Sequence, residues 1–230
     1  MKNLLFDLDG TIIEPKEGIV NSIRHAADLM GAVMPSEKEL HQFIGPPIMD
    51  SFQEKLKLTY AQALEAVGHF RRYYAETGIH QNKLFPYLAE LLQTLKASGY
   101  TLFVATSKPT VFAKEILKEH GLDHLFVEIV GCNMDNSRSD KAEIIAYIVE
   151  NYGLDRSECL MIGDTKYDII GAQKHGMASV GVSYGHGDFS EYAPLFTVDS
   201  CEELEVLIKK FPLRLKTLYL MEAETHPLTL

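Results

Sequence analysis

The sequence predicts a parallel α/β sheet domain with an all-helical insertion after its first strand. Three observations carry this. An apolar strand opens the chain, "NLLFDL" at 3–8. From residue 15 to 80 the apolar spacing is helical, and no alternating β-branched run interrupts it. Beyond that stretch short apolar strands alternate with helices, the pattern of right-handed βαβ crossovers and a parallel sheet covered on both faces.

The elements follow in order. After the first strand, Gly10 and Thr11 allow a sharp turn. "EGIVNSIRHAADLMGAV" (17–33) reads as the first helix of the insertion. Ser36 with Glu39, and Thr59 with Gln62, fit the capping box that opens a helix. "YTLFVAT" (100–106), "LFVEIVG" (125–131), "CLMIG" (159–163) and "ASVGVS" (178–183) are the later strands. "FPYLAELLQTLKAS", "VFAKEILKEHG" and "KAEIIAYIVENYG" are the helices that alternate with them. "FTVDS" and "CEELEVLIKK" add a last strand and helix. The expected division is a core of 1–14 and 81–212, a helical insertion at 15–80 and a tail at 213–230.

At 230 residues the chain can bury one large core or two modest ones. With 32 acidic against 22 basic residues the net charge is −10 and no basic tract occurs, which argues against nucleic-acid polymers and polybasic membrane attachment. Small anionic substrates stay open, because lysines or a metal can reverse the field inside a cleft. The three cysteines, Cys132, Cys159 and Cys201, are far apart and form no CxxC pair, so neither a zinc site nor a disulfide framework is expected. No signal-peptide pattern and no membrane-length apolar run is read, and the cytoplasm is the expected location.

Polar groups concentrate where the strands end. Asp7 and Asp9 lie two apart on an extended segment, hence on one face. At roughly 6–7 Å and an effective dielectric near 20 their repulsion costs about 2–3 kcal/mol, so a positive group is expected beside them. "LFVATSK" ends in Thr106, Ser107 and Lys108, and "CLMIGDTKYD" in Asp164, with Asp168 one helical turn on. Lys141 opens a helix behind Asp140, where the helix dipole disfavours a cation and so points to a nearby anion. Each has an ordinary structural use taken singly: Thr106 or Ser107 as a helix cap, Asp164 as an N-cap, Asp168 and Lys141 as solvated helix residues. Their convergence on one edge of one sheet exceeds what capping requires, and in such sheets ligands bind beyond the carboxyl ends of the strands.

"DLDGT", "TS" at 106–107, Lys141 and "GDTKYD", in that order, resemble the four motifs of the haloacid dehalogenase (HAD) superfamily over residues 4 to about 185. The resemblance implies a Rossmann-like core sheet with an inserted α-helical cap. "FIGPP" (43–47), "ATSKP" and "SRSDKAEII" are similar to phosphoglycolate phosphatases and a bacterial 5′-nucleotidase-like branch; "EPKEG" (14–18) departs from the Asp-Ser pair many relatives carry there. By resemblance, Asp7 is the nucleophile that becomes an aspartyl-phosphate, and Asp9 is the general acid and then base. Thr106, Ser107 and Lys141 would bind the phosphoryl oxygens. Asp7, the backbone carbonyl of Asp9 and Asp164 would hold Mg²⁺, with Asp168 supporting Lys141. Asp9 favours phosphoryl transfer over dehalogenation. The implied partner is a small phosphorylated metabolite, phosphoglycolate-like or a nucleoside monophosphate, handled by a monomer or homodimer.

Three other readings compete. A sugar phosphomutase uses the same four motifs. A non-catalytic phospho-ligand binder would have no need of the full set. "GVSYG" (181–185) matches the G-x-S-x-G nucleophile elbow of α/β-hydrolases, but Gly187 and Pro194 break the helix that must follow, and only His186 or His226 remains as a base. No G-x-x-x-x-G-K-[ST] is present, which excludes a P-loop kinase.

Overall fold

The computed structural model describes residues 2–41, 43–44, 48–135 and 137–210. The expected tail at 213–230 and the latter part of "FIGPP" fall outside these residues. The chain divides into two compact units, an α/β unit made of the stretch up to Ile12 with the stretch from Phe85 onward, and a helical unit of Ile13–Leu84.

The α/β unit is built on a six-stranded sheet in the order β5-β4-β1-β6-β7-β8, in which every pairing is parallel. Its strands are β1 (Asn3–Phe6), β4 (Thr101–Pro109), β5 (Glu128–Cys132), β6 (Cys159–Gly163), β7 (Ala178–Val182) and β8 (Phe196–Val198). Strand β1 is central and buried along its whole length, which is why "NLLF" is continuously apolar instead of alternating. Phe6 pairs with Val104 on one side and Ile162 on the other, so these three residues lie level across the sheet. The helices α5 (Leu88–Ala97), α6 (Thr110–Glu119), α7 (Lys141–Tyr152), α8 (Lys166–Lys174) and α9 (Cys201–Lys210) connect or follow the strands. Leu5, Phe103, Val130, Ile144, Ile145, Ile148 and Met161 share one continuous core between sheet and α7.

The helical unit contains α1 (Lys16–Leu29), α2 (Glu37–His41), α3 (Ile48–Lys55) and α4 (Tyr60–Glu76). Both expected capping boxes form. Ser36 N–H donates to Glu39 at 2.8 Å, and Thr59 N–H donates to Gln62 at 3.0 Å while the Thr59 hydroxyl accepts from Gln62 N–H. Phe43, Phe52, Phe70 and Tyr74 meet ring to ring in the core of this unit. A short antiparallel pair, β2 (Ile13–Glu14) with β3 (Lys83–Leu84), ties its two ends together; two-residue strands are below what periodicity detects.

Strand boundaries differ from expectation in three places. Strand β1 ends at Phe6, with a bend at Leu8, so Asp7 and Asp9 follow the strand instead of lying on it. Leu125 belongs to a 3₁₀ turn at Asp123–Leu125, so β5 begins only at Glu128. Strand β4 continues three residues past Thr106, with a register shift against β5 between Ala105 and Pro109. That irregularity lies where the polar run "TSK" sits, and bulges of this kind re-aim side chains near functional sites.

Candidate active site

Asp7 follows directly from β1, its N–H still bonded to Ile162 O at 2.8 Å as a continuation of the ladder. Its carboxylate is buried and meets the Lys141 ammonium at 2.8 Å. The same Nζ reaches Asp168 Oδ1 at 2.7 Å and donates to Ala105 O at 2.8 Å. Lys141 is therefore the anion-facing cation its place in the first helical turn implies. Burial alone would lower its pKa; Asp168 and Asp7 outweigh that and hold the ammonium well above its ordinary range.

Asp9 has a cation of its own. Lys108 Nζ lies 2.7 Å from both oxygens of its carboxylate, in a pair with little exposure on either side. The repulsion between the two aspartates is thus offset twice, by separate lysines on neighbouring elements. Lys108 is visible in the sequence as a polar strand-end residue, but nothing in its spacing reveals which acid it faces. Its reach to Asp9 depends on β4 lying beside β1.

Asp164, after β6, is not a helix cap. Thr165 takes that position, forming a capping box with Asp168, whose Oδ2 accepts from Thr165 N–H at 3.0 Å and from its hydroxyl at 2.7 Å. Asp164 is thereby left to the site. Its Oδ2 accepts from the backbone N–H groups of His186 and Gly187, each at 2.9 Å, and its Oδ1 is buried without a hydrogen-bond partner. Burial, then the charges of Asp7 and Asp168, push the Asp164 carboxyl up to about 8. Asp168 is likewise raised, by burial first, with Lys141 opposing. Gly10, at φ +82°, lets the chain pass close by: a Cβ there would sit 2.1 Å from Asp164 Oδ2.

Thr106 is buried and its hydroxyl accepts from Lys108 N–H at 3.2 Å, whereas Ser107 is exposed, its hydroxyl 3.4 Å from Ser139 O. Ser183 of "GVSYG" donates to Val198 O at 3.3 Å and to the Asp199 carboxylate, so its hydroxyl is engaged with β8 and the residue after it.

Carboxylate oxygens of Asp7, Asp164 and Asp168 lie within 4.8 Å of one another, close enough to share a metal ion. The donor set is all oxygen, which suits a hard divalent cation, and the partnerless Asp164 Oδ1 supplies the unsatisfied group such an ion would satisfy. Both oxygens of Asp168 are already taken by Lys141 and Thr165, so within the trio the better donors are Asp7 and Asp164.

A family model for haloacid dehalogenase-like hydrolases matches residues 4–182, from the first strand through β7. The chain belongs to this family. A 5′-nucleotidase of Pseudomonas aeruginosa is 40% identical over 205 residues, covering 89% of this chain and 93% of that protein. The tyrosine-protein kinase PtkA of Mycobacterium tuberculosis is 34% identical over 80% of this chain, but that covers only 62% of its own length. A phosphoglycolate phosphatase of Vibrio parahaemolyticus is 30% identical over 89% of this chain and 94% of its own. Among solved structures, one titled a putative phosphatase from Clostridium difficile superimposes with a TM-score of 0.81 at 42% identity, covering 90% of this chain and 98% of that one. This HAD hydrolase is an enzyme of the phosphatase kind. Among its described residues, no helix is long and apolar enough to cross a membrane.

Proposed function

We propose that the chain is a Mg²⁺-dependent phosphomonoesterase that works through an aspartyl-phosphate on Asp7. The observation that carries this reading is the buried Asp7 carboxylate at the end of β1, held at 2.8 Å by Lys141 and sharing a 4.8 Å cluster with Asp164. Asp7 attacks phosphorus in line, the P–O bond to the leaving group breaks, and Asp9 gives the leaving oxygen a proton. Asp9 then takes a proton from the water that attacks the aspartyl-phosphate, and phosphate departs with Asp7 restored. Thr106, through its hydroxyl, and Ser107, through its N–H, bind equatorial phosphoryl oxygens, and Lys141 balances the charge on Asp7 and phosphate. Asp168 keeps Lys141 in place. Asp7, the Asp9 carbonyl and Asp164 would hold Mg²⁺, which would supply positive charge against the phosphoryl oxygens.

The substrate is a small phosphorylated metabolite. The relative named a 5′-nucleotidase matches at higher identity than the one named a phosphoglycolate phosphatase, which makes a nucleoside 5′-monophosphate the first ester to assay. The helical unit, Ile13–Leu84, acts as the cap that selects the ester. Phosphate release across a panel of esters, with Mg²⁺ present or chelated, tests the reading. Release from at least one small ester that stops in EDTA and returns with Mg²⁺ is expected. Undiminished release after exhaustive chelation would remove the metal, and phosphate moved to a second hydroxyl of the same sugar would make the protein a phosphomutase.

A further inference from the structure

The stretch "SYGHG" (183–187) lies outside the four motifs and fails as an esterase elbow, yet it is packed against Asp164 by its backbone. The N–H groups of His186 and Gly187 both bond one carboxylate oxygen at 2.9 Å, which leaves the other oxygen buried and without a partner. The approach is so close that side chains are excluded. A Cβ on Gly185 would lie 2.4 Å from both Asp164 Cβ and Gly10 O, and one on Gly187 would lie 2.2 Å from Asp164 O. Tyr184 anchors the loop from the other side. Its hydroxyl donates to Thr11 O at 3.2 Å, and its ring packs at 4.8 Å against Phe85. Thr11 follows the turn that carries Asp7 and Asp9, so this one bond links the loop behind Asp164 to the end of β1.

We propose that the 184–187 loop is a positioning device for the metal site, with Tyr184 and Gly187 setting where the free oxygen of Asp164 points relative to Asp7. The inference rests on the metal reading above. A carboxylate with two rotatable bonds could turn either oxygen, or both, toward a cation. Two N–H donors on Oδ2 fix the choice, as the outer partners of metal ligands generally do. Tyr184 sets the distance between the two ligand-bearing segments, and the glycines let the backbone come near enough to donate. None of these residues touches the reacting phosphoryl group; they act through Asp164.

The test is metal affinity on the full chain, read by Mn²⁺ electron paramagnetic resonance and by calorimetric Mg²⁺ titration, with no substrate present. Tyr184→Phe keeps the ring on Phe85 and removes the hydroxyl's bond to Thr11 together with its contact with the Cys201 thiol on α9. Its Kd for either ion should rise about threefold to tenfold. Gly187→Ala should weaken binding by about a hundredfold. Ser183→Ala, at the neighbouring position but bonded away toward Val198 and Asp199, should keep its Kd within about twofold of the parent. The rate that Tyr184→Phe loses at limiting Mg²⁺ should return when Mg²⁺ is raised, which a merely structural defect would not show. If Gly187→Ala does not fold, Tyr184→Phe decides. Parent-like Kd values in Tyr184→Phe, or an equal loss in Ser183→Ala, would overturn the role of the loop. A parent protein that binds neither ion would instead overturn the metal reading beneath it, so the two failures are distinct.

Discussion

In the α/β unit Asp7, Lys141, Asp164 and Asp168 are buried together at one edge of the sheet, whereas in the helical unit the buried polar side chains among the described residues are Ser22 and Ser51, beside an aromatic cluster. Burying a charge costs several kcal/mol unless it is paired, and even a good pair often does no better than an apolar replacement. Four buried ionisable groups in one place are therefore a poor way to stabilise a fold. Their retention makes sense if they do chemistry. The helical unit carries no such constraint among its described residues. Its core needs shape and apolar area only.

The sharpest way to break this contrast is to remove the proposed nucleophile. Asp7→Asn is nearly isosteric and keeps a polar partner for Lys141, so the fold should persist while turnover falls by about 10⁴-fold or more with every leaving group. Residual phosphate release at more than a hundredth of the parent rate would show that another group attacks phosphorus.

Asp9→Asn should separate the two acids of "DLD". Loss of general acid–base help costs about 10²–10⁴-fold. An ester with a good leaving group, such as 4-nitrophenyl phosphate, needs little protonation, so phosphorylation of this variant by that ester should survive better than by an alkyl phosphate. Hydrolysis of the intermediate should stay slow, since the proposed mechanism makes Asp9 the base for water as well. A burst near one equivalent of 4-nitrophenol followed by slow turnover is expected. Equal losses for both esters, without a burst, would mean Asp9 is not the acid–base group.

Much of this was legible in the sequence for a physical reason. Continuous apolar strands that end in acids and hydroxyls mark the carboxyl edge of a parallel sheet, and that puts Asp7, Thr106 and Asp164 in one neighbourhood, while the unfavourable place of Lys141 in a first helical turn points it at an anion. The capping boxes at Ser36 and Thr59 were legible because they are local, closing over three residues. The Lys108–Asp9 pair was not, since it joins residues 99 apart in sequence through strand neighbours whose order spacing does not reveal. The contacts of Asp164 with His186 and Gly187 escaped for a different reason. They are made by backbone N–H groups, which every residue but proline owns, so no side-chain pattern announces them.

Replacement of the central lysine compares the two units directly. Lys141→Met strands Asp7 and Asp168 without a counter-charge, and should cost about 3–5 kcal/mol in denaturant unfolding. Phe52→Ala in the helical unit should cost a similar amount, about 3–5 kcal/mol, by opening a cavity. The difference should lie in activity. The lysine variant should lose phosphate release as well, whereas the folded fraction of Phe52→Ala should still release phosphate from 4-nitrophenyl phosphate. If the two variants lost activity per folded molecule alike, the division into a chemical unit and a packing unit would fail.

The smallest effect expected is also the one with an unusual sign. Asp164 sits buried beside Asp7 and Asp168, and without a cation its carboxyl, pushed up to about 8, carries a charge only above that pH, where both neighbours repel it. Asp164→Asn removes that charge at nearly constant volume, while the amide oxygen can still accept from His186 and Gly187 N–H and the amide nitrogen can face the remaining carboxylates. At pH 9 the metal-free variant should therefore be more stable than the metal-free parent, by about 1 kcal/mol, the net worth of one relieved buried interaction, and the gain should shrink as pH falls below about 8 and the parent carboxyl takes up its proton. In Mg²⁺ the order should reverse. At a Mg²⁺ concentration of about 100 times Kd the parent gains about 2.7 kcal/mol by mass action, and a variant lacking the ligand gains little. Thermal melts of both proteins at pH 9, in EDTA and in Mg²⁺, give the four values needed. A variant less stable than the parent in EDTA would mean that the carboxylate is held by something other than a cation, and the like-charge account of this sheet edge would fall with it.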